Sequence, residues 1–158
     1  MREFNTSGPC KPELHYTVMR EKLIQEGLSM VDKGKFFTIW APRQTGKTTY
    51  FELLIDALDK SKYTGVWISF EATTTYNDNE FWNKVRFDIK IKLELKKILI
   101  NKGFSALSEF ENWLKSDLKK ALTGKKLVLI IDEFEGCPAR LINSLMHTFR
   151  DLYHQKET

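Results

Sequence analysis

With 158 residues, 42% of them hydrophobic and 29% charged, the chain can bury a real core and is too apolar to be a disordered segment. Its longest unbroken apolar run, Leu127 to Ile131, falls far short of the ~20 residues that span a bilayer, which sets a membrane span aside. The formal charge of +4, from 25 basic against 21 acidic residues, is a mild excess, and a solvated basic face accounts for it more simply than a polyanionic partner.

The opening residues, MREFNTSGPC, contain no apolar run, so no secretory signal is expected. Gly8, Pro9 and Pro12 make residues 1–14 an arm without regular structure. From about Tyr16 to Val31 the apolar positions Val18, Leu23, Ile24, Leu28 and Val31 recur at spacings of three to five and predict a helix ended near Gly34. Phe36 to Trp40, aromatic and β-branched between Gly34 and Pro42, predicts a buried strand. Thr48 to Leu58 then shows helical spacing through Phe51, Leu54, Ile55 and Leu58.

A second strand is expected over Tyr63 to Phe70, followed by the polar loop EATTTYNDNE. In VRFDIKIKLELK, residues 85–96, apolar and charged residues alternate as in a half-buried strand. Asp88/Lys92 and Lys90/Glu94 are nevertheless placed for i,i+4 pairing, and a parallel crossover needs an intervening helix, so helix is the preferred reading. Lys126 to Ile131 predicts a third strand, apolar throughout, as when both sheet faces are covered. Leu141, Ile142, Leu145, Met146, Phe149 and Leu152 mark an amphipathic helix from Ala139 to about Tyr153.

Between the first strand and the helix after it lies Ala41-Pro-Arg-Gln-Thr-Gly-Lys-Thr48, which matches the phosphate-binding loop G-x-x-x-x-G-K-[ST] at every fixed position but the first. The N–H groups of such a loop and of the helix's first turn have no intrahelical partners, and they meet phosphate at the positive end of the helix dipole. Gly46 lets the backbone approach, Lys47 reaches the β- and γ-phosphates, and Thr48 offers a hydroxyl to Mg²⁺. Ala41 is harmless if its φ is negative and strained by ~1 kcal/mol if positive; Pro42 after it favours the extended case. The candidate phosphate contacts are therefore Ala41, Pro42, Arg43, Gln44, Thr45, Gly46, Lys47, Thr48 and Thr49.

The strand LVLII runs into Asp132-Glu133. In open parallel sheets ligands sit beyond the carboxyl ends of the strands, where Asp132 could hold the Mg²⁺ hydration shell and Glu133 orient and deprotonate an attacking water. A lone acidic pair after an apolar run is more often a strand end meeting solvent; its weight comes from its company with the loop. His15, His147 and His154 show no metal spacing, and Cys10 and Cys137 none either; the thiols are expected to be free in a reducing, cytoplasmic compartment. Tyr16, Trp40, Trp67, Trp82 and Trp113 are most simply core aromatics, with Tyr16 a lesser candidate for packing on a base and Glu71 for facing a nucleotide.

GPCKPELHY, KGKFFTIWAPRQTGKTT and LVLIIDEFEGCP together resemble the AAA-like ATPase domains, over a span from about Phe4 to His154. That resemblance implies an α/β P-loop NTPase fold, three-layer αβα with a mainly parallel sheet, in a single domain over 1–158. It implies Lys47 and Thr48 as Walker A residues, and Asp132 and Glu133 as Walker B residues. Such domains have two further strands and a polar sensor after the Walker B strand, so the chain is expected to be part of a longer protein with the C-terminal strands missing. The expected function is an ATP-binding module using Mg²⁺ (a hydrolase only when complete or assembled), with Glu133 and Lys47 as catalytic residues and Thr48 and Asp132 as metal ligands. A non-hydrolysing nucleotide-dependent switch that pairs with a protein partner or itself, or a nucleic-acid-associated protein using the basic Lys84–Lys126 stretch, are the alternatives.

Overall fold

The computed structural model describes residues 2–6, 8–42, 44–99 and 102–155. The chain divides into two compact units, Met1–Leu58 and Asp59–Thr158.

In the first unit an irregular arm closes on itself through an isolated parallel bridge between Glu3 and His15. Helix α1 (Glu21–Asp32) begins five residues later than the apolar spacing suggests, because Arg20 at its N-cap is left-handed, with φ 52°. At its other end the Lys35 N–H donates to Met30 O and the Gly34 N–H to Val31 O, the paired bonds of a Schellman cap with Gly34 left-handed. Helix α2 (Lys47–Ala57) buries Tyr50, Phe51, Leu53 and Leu54. It packs on α1, where the Tyr50 hydroxyl donates to Leu23 O at 3.1 Å.

The strand expected at Phe36–Trp40 is not formed. No described residue of this unit belongs to a strand, so the run has no ladder partner within it, and apolar composition alone cannot supply one. Phe36, Phe37 and Trp40 are correspondingly exposed, Trp40 at 91%.

The second unit is mixed α/β around a two-stranded parallel sheet, β1 (Tyr63–Ser69) and β2 (Lys126–Asp132), in register from Tyr63↔Lys126 to Ser69↔Asp132. Both strands lie where the β-branched runs put them. Between them come α3 (Asp78–Glu94), α4 (Leu107–Trp113), a π-helical turn over Leu114–Leu118 and α5 (Lys119–Ala121). A 3-10 turn, Phe134–Gly136, and α6 (Ala139–His154) follow β2.

Residues 85–96 are helical up to Glu94, and α3 starts well before them, at a capping box. The Asn77 side chain accepts from the Glu80 N–H at 3.0 Å, and the Glu80 carboxylate accepts from the Asn77 N–H at 2.8 Å. The helix buries Phe81, Trp82, Val85, Ile89 and Leu93 at three- and four-residue spacing. Its remaining apolar positions, Phe87, Ile91 and Leu95, recur every fourth residue on solvent. Strict alternation wound into a helix thus makes two apolar stripes, one inside and one outside.

The core joins Val66, Ile68 and Phe70 of the β1 region to α3, and to Leu141 and Leu145 of α6. One end is an aromatic cluster: Trp82, Phe104, Phe110 and Trp113 have ring centroids 4.9–6.4 Å apart in their contacting pairs. Such pairs add ~0.5–1.5 kcal/mol each beyond their burial.

Candidate functional site

In the first unit the loop before α2 bends through two left-handed residues, Gln44 at φ 60° and Gly46 at φ 81°. Ala41 is not among the positive-φ residues, so the alanine at the first motif position carries no strain of that kind. Gly46 is the N-cap of α2 and has no side chain with which to cap that end. The positive pole of an 11-residue helix therefore faces the loop.

The Lys47 side chain folds back over that loop. Its ammonium donates to Ala41 O at 3.1 Å and to Pro42 O at 3.3 Å. An ammonium has three donors, and two carbonyls account for two of them. Thr45 closes the bend from within, its hydroxyl donating to Pro42 O at 2.8 Å. Thr48 stands in the first turn of α2, partly buried. The Thr49 hydroxyl is committed elsewhere: it accepts the Cys10 N–H at 3.0 Å and ties the N-terminal arm to α2. Arg43 lies outside the described residues.

A second cation reaches the loop that the motif does not contain. The Arg20 guanidinium donates through Nη2 to Thr45 O. A Cβ built on Gly46 would lie 3.3 Å from that Nη2 and 3.8 Å from Cζ, so the glycine is what leaves room for the arginine over the loop. The only sequence sign of Arg20 is a basic residue at the edge of a helix. Its left-handed backbone, uncommon for a non-glycine residue, aims it there.

In the second unit Asp132 closes β2 and is 5% exposed. One of its carboxylate oxygens, Oδ1, accepts the Glu133 N–H at 2.9 Å. Glu133 is left-handed, at φ 49° and ψ 46°, a conformation that costs on the order of 1 kcal/mol for a residue with a Cβ. The turn after it is held from the β1 side. The hydroxyl of buried Thr73 lies 2.8 Å from Gly136 O and 3.0 Å from Phe70 O and shares its one proton between these two carbonyls, and a Cβ at Gly136 would run into the Phe70 carbonyl. Packing of a 3-10 turn against the end of β1 thus fixes the acidic pair.

The other candidates are structural or exposed. His15 Nδ1 accepts the Lys11 N–H at 2.9 Å, and His147 Nδ1 meets Arg150 at 2.8 Å. No group of three or more His, Cys, Asp or Glu among the described residues could hold a metal ion by itself. Trp82 and Trp113 are in the core, Trp67 is half-buried, and Trp40 is on the surface, contrary to the expectation of a core aromatic. It sits on the run that forms no strand, which explains its exposure. Tyr16 is exposed and packs on Phe4, ring centroids 5.0 Å apart, and Glu71 is exposed beyond β1. Cys137 is buried, and that burial pushes its thiol up to about 11 against a weaker opposing effect of Arg140. No helix formed by the described residues is long and apolar enough to cross a membrane. Comparison with protein-family models, with curated proteins and with solved structures finds no match to this chain.

Proposed function

We propose that residues 41–48 bind the polyphosphate of a nucleoside triphosphate, ATP with Mg²⁺, in a P-loop module of the AAA-like ATPase kind. The observation that carries this reading is the Lys47 ammonium, held over the loop by Ala41 O and Pro42 O beside a helix N-terminus whose N-cap is glycine. A cation, a glycine N-cap and two left-handed residues within four positions are what a phosphate-cradling loop needs. The donor set fits a polyphosphate: backbone N–H groups at a helix start, the Lys47 ammonium and the Arg20 guanidinium, with no carboxylate in residues 41–48.

Mg²⁺ fits this reading as a companion of the nucleotide rather than as a resident ion. It keeps several waters and takes one or two protein oxygens beside phosphate oxygens, so a protein cage of three ligands is not required. Bound there, it would neutralise charge on the phosphates. On the loop, Thr48 is the residue we assign to it; Asp132 and Glu133 keep the Walker B roles that the resemblance implies. Lys47 and Arg20 then hold phosphate oxygens by charge-assisted hydrogen bonds. The finer fold that goes with the proposal is a three-layer αβα P-loop domain, with hydrolysis expected of a complete or assembled form.

A loop that reads phosphates must rank nucleotides by phosphate number. Calorimetric titration of the chain with ATP, ADP and AMP in Mg²⁺ is expected to give affinity falling in that order, with ATP at least about tenfold above AMP, since hydrogen bonds to charged groups are worth ~1.5–3 kcal/mol each. Equal affinity for all three, or no binding of any, would sink the reading.

A further inference from the structure

The second unit carries a groove of about 690 Å³ that the phosphate loop does not explain. Its size is that of small-molecule sites, which run from about 300 to 1,000 Å³. One wall is a single face of α3, with Asn83, Arg86, Phe87, Lys90 and Leu93 following one another at helical spacing. The other is the chain around Ile98 and Lys102–Phe104, pinned to α4 where the Trp113 indole N–H donates to Lys102 O at 3.1 Å. The floor is apolar and belongs to the core: Leu93, Phe104 and Trp113.

Charge divides the rim from the floor. Lys84, Arg86, Lys90 and Lys102 all line the groove, and no carboxylate does. Three of these cations have acidic neighbours. Lys84 is ion-paired, with Asp88 at 2.6 Å, and donates to Ser69 O at 3.1 Å. Lys90 and Lys102, both exposed, hold Glu94 and the half-buried Asp117 only at 3.7 and 3.6 Å, long pairs that contribute little. Arg86 differs: among the described residues its one hydrogen-bond partner is the neutral Asn83 Oδ1, at 2.8 Å, and it has no carboxylate. Its stem lies flat across Gly103, where an added Cβ would come within 2.7 Å of Arg86 Cδ. A guanidinium has five donors, so one hydrogen bond leaves most of the exposed Arg86 fork available to an anion.

We propose that this groove binds a small amphipathic organic anion. The apolar body lies against Phe87 and the half-buried Ile98, over a floor closed by the buried Leu93 and Phe104, and the acidic head takes the Arg86 fork, with Lys90 and Lys102 beside it. A carboxylate matches that fork in a two-point bond, which is the geometry an arginine is suited to. Single-stranded nucleic acid suits the same positive charge but needs a row of exposed rings on which bases stack. Here Phe87, 61% exposed, is the one lining aromatic open to solvent, since Phe104 and Trp113 are buried.

The probe is dodecanoate, titrated into the 158-residue chain below its micelle concentration and followed by tryptophan fluorescence, with dodecyltrimethylammonium of the same chain length in parallel. Dodecanoate is expected to saturate and the ammonium to show no comparable binding. Arg86→Ala should weaken dodecanoate about tenfold, as for loss of a hydrogen bond to a charged group, with its melting temperature unchanged. Gly103→Ala, which must displace the Arg86 stem, should weaken it in the same direction. Equal binding of both headgroups, no saturation, or an Arg86→Ala affinity like the wild type overturns the proposal. Displacement of dodecanoate by an oligothymidylate, with affinity falling steeply in salt, would assign the groove to single-stranded nucleic acid instead.

Discussion

The guanidinium of Arg20 rests on the carbonyl of Thr45, so the residue just ahead of α1 reaches into the loop just ahead of α2. Two helix starts in one unit thereby share a cation, on the same loop whose Ala41 and Pro42 carbonyls hold the Lys47 ammonium.

Arg20 has two separable effects. Its left-handed φ of 52° costs on the order of 1 kcal/mol that glycine would not incur, while its guanidinium favours any anion on the loop. Arg20→Gly is therefore expected to leave thermal stability equal or slightly raised while weakening Mg-ATP about tenfold. Arg20→Lys should recover part of the affinity without the fork. Calorimetric titrations beside melting curves check both; ATP affinity unchanged in Arg20→Gly would remove Arg20 from the site.

Gly136 tests how the acidic pair is held. An alanine methyl there meets the Phe70 carbonyl, which is backbone anchored by the Phe70 N–H bond to Asp132 O at 3.0 Å and cannot swing aside. Gly136→Ala should destabilise the second unit by about 2–3 kcal/mol, at the upper end for overpacking. Urea unfolding is the check, and a loss below about 0.5 kcal/mol, the range of ordinary surface substitutions, would contradict the close approach.

The α3 start is a simpler test. Asn77→Ala removes the cap that accepts the Glu80 N–H and leaves the reciprocal bond from Glu80. The expected loss is about 1 kcal/mol, read as a lower urea midpoint with unchanged slope.

Cys137 should be chemically quiet and pH-linked. Burial raises its thiol from the ordinary 9.0 to about 11, so the folded protein keeps the proton when the unfolded chain has released it. The unfolded state then binds fewer protons between pH 9 and 11, and stability due to this group, fully present below pH 9, declines as pH rises through that window. At pH 8 a thiol reagent should modify Cys10, which is partly exposed, well before Cys137. Comparable rates for the two would mean that the second unit opens readily.

Much of this was legible residue by residue. The apolar runs at Tyr63 and Lys126 pair as strands, and the helical spacings at Thr48 and Ala139 make helices, because continuous and periodic apolar patterns each mark what an element buries. The start of α3 was missed: Asn77-Asp-Asn-Glu80 reads as part of a polar loop, and in the structure it forms a capping box. Phe36–Trp40 shows the limit. Its composition is that of a strand, but a strand is a relation between two backbones, and within its unit the described residues offer no other strand. Arg20 marks another: its contact is to a carbonyl 25 residues on, and no local pattern encodes it. Asp132 was identified by its position after an apolar run, yet the left-handed Glu133 beside it is set by the turn that Thr73 and Gly136 hold, not by Glu133 itself.

The central claim is that residues 41–48 bind nucleotide through Lys47, and a thermal-shift titration of Mg-ATP against the wild type and Lys47→Ala tests it most directly. Ligand at about 100 times its Kd adds ~2.7 kcal/mol to the folded state, which for a chain of this size is a rise of roughly 5–10 °C. The account predicts that rise in the wild type and its loss in Lys47→Ala, with the two melting alike before ligand is added. An equal shift in both proteins, or none in the wild type, would contradict it.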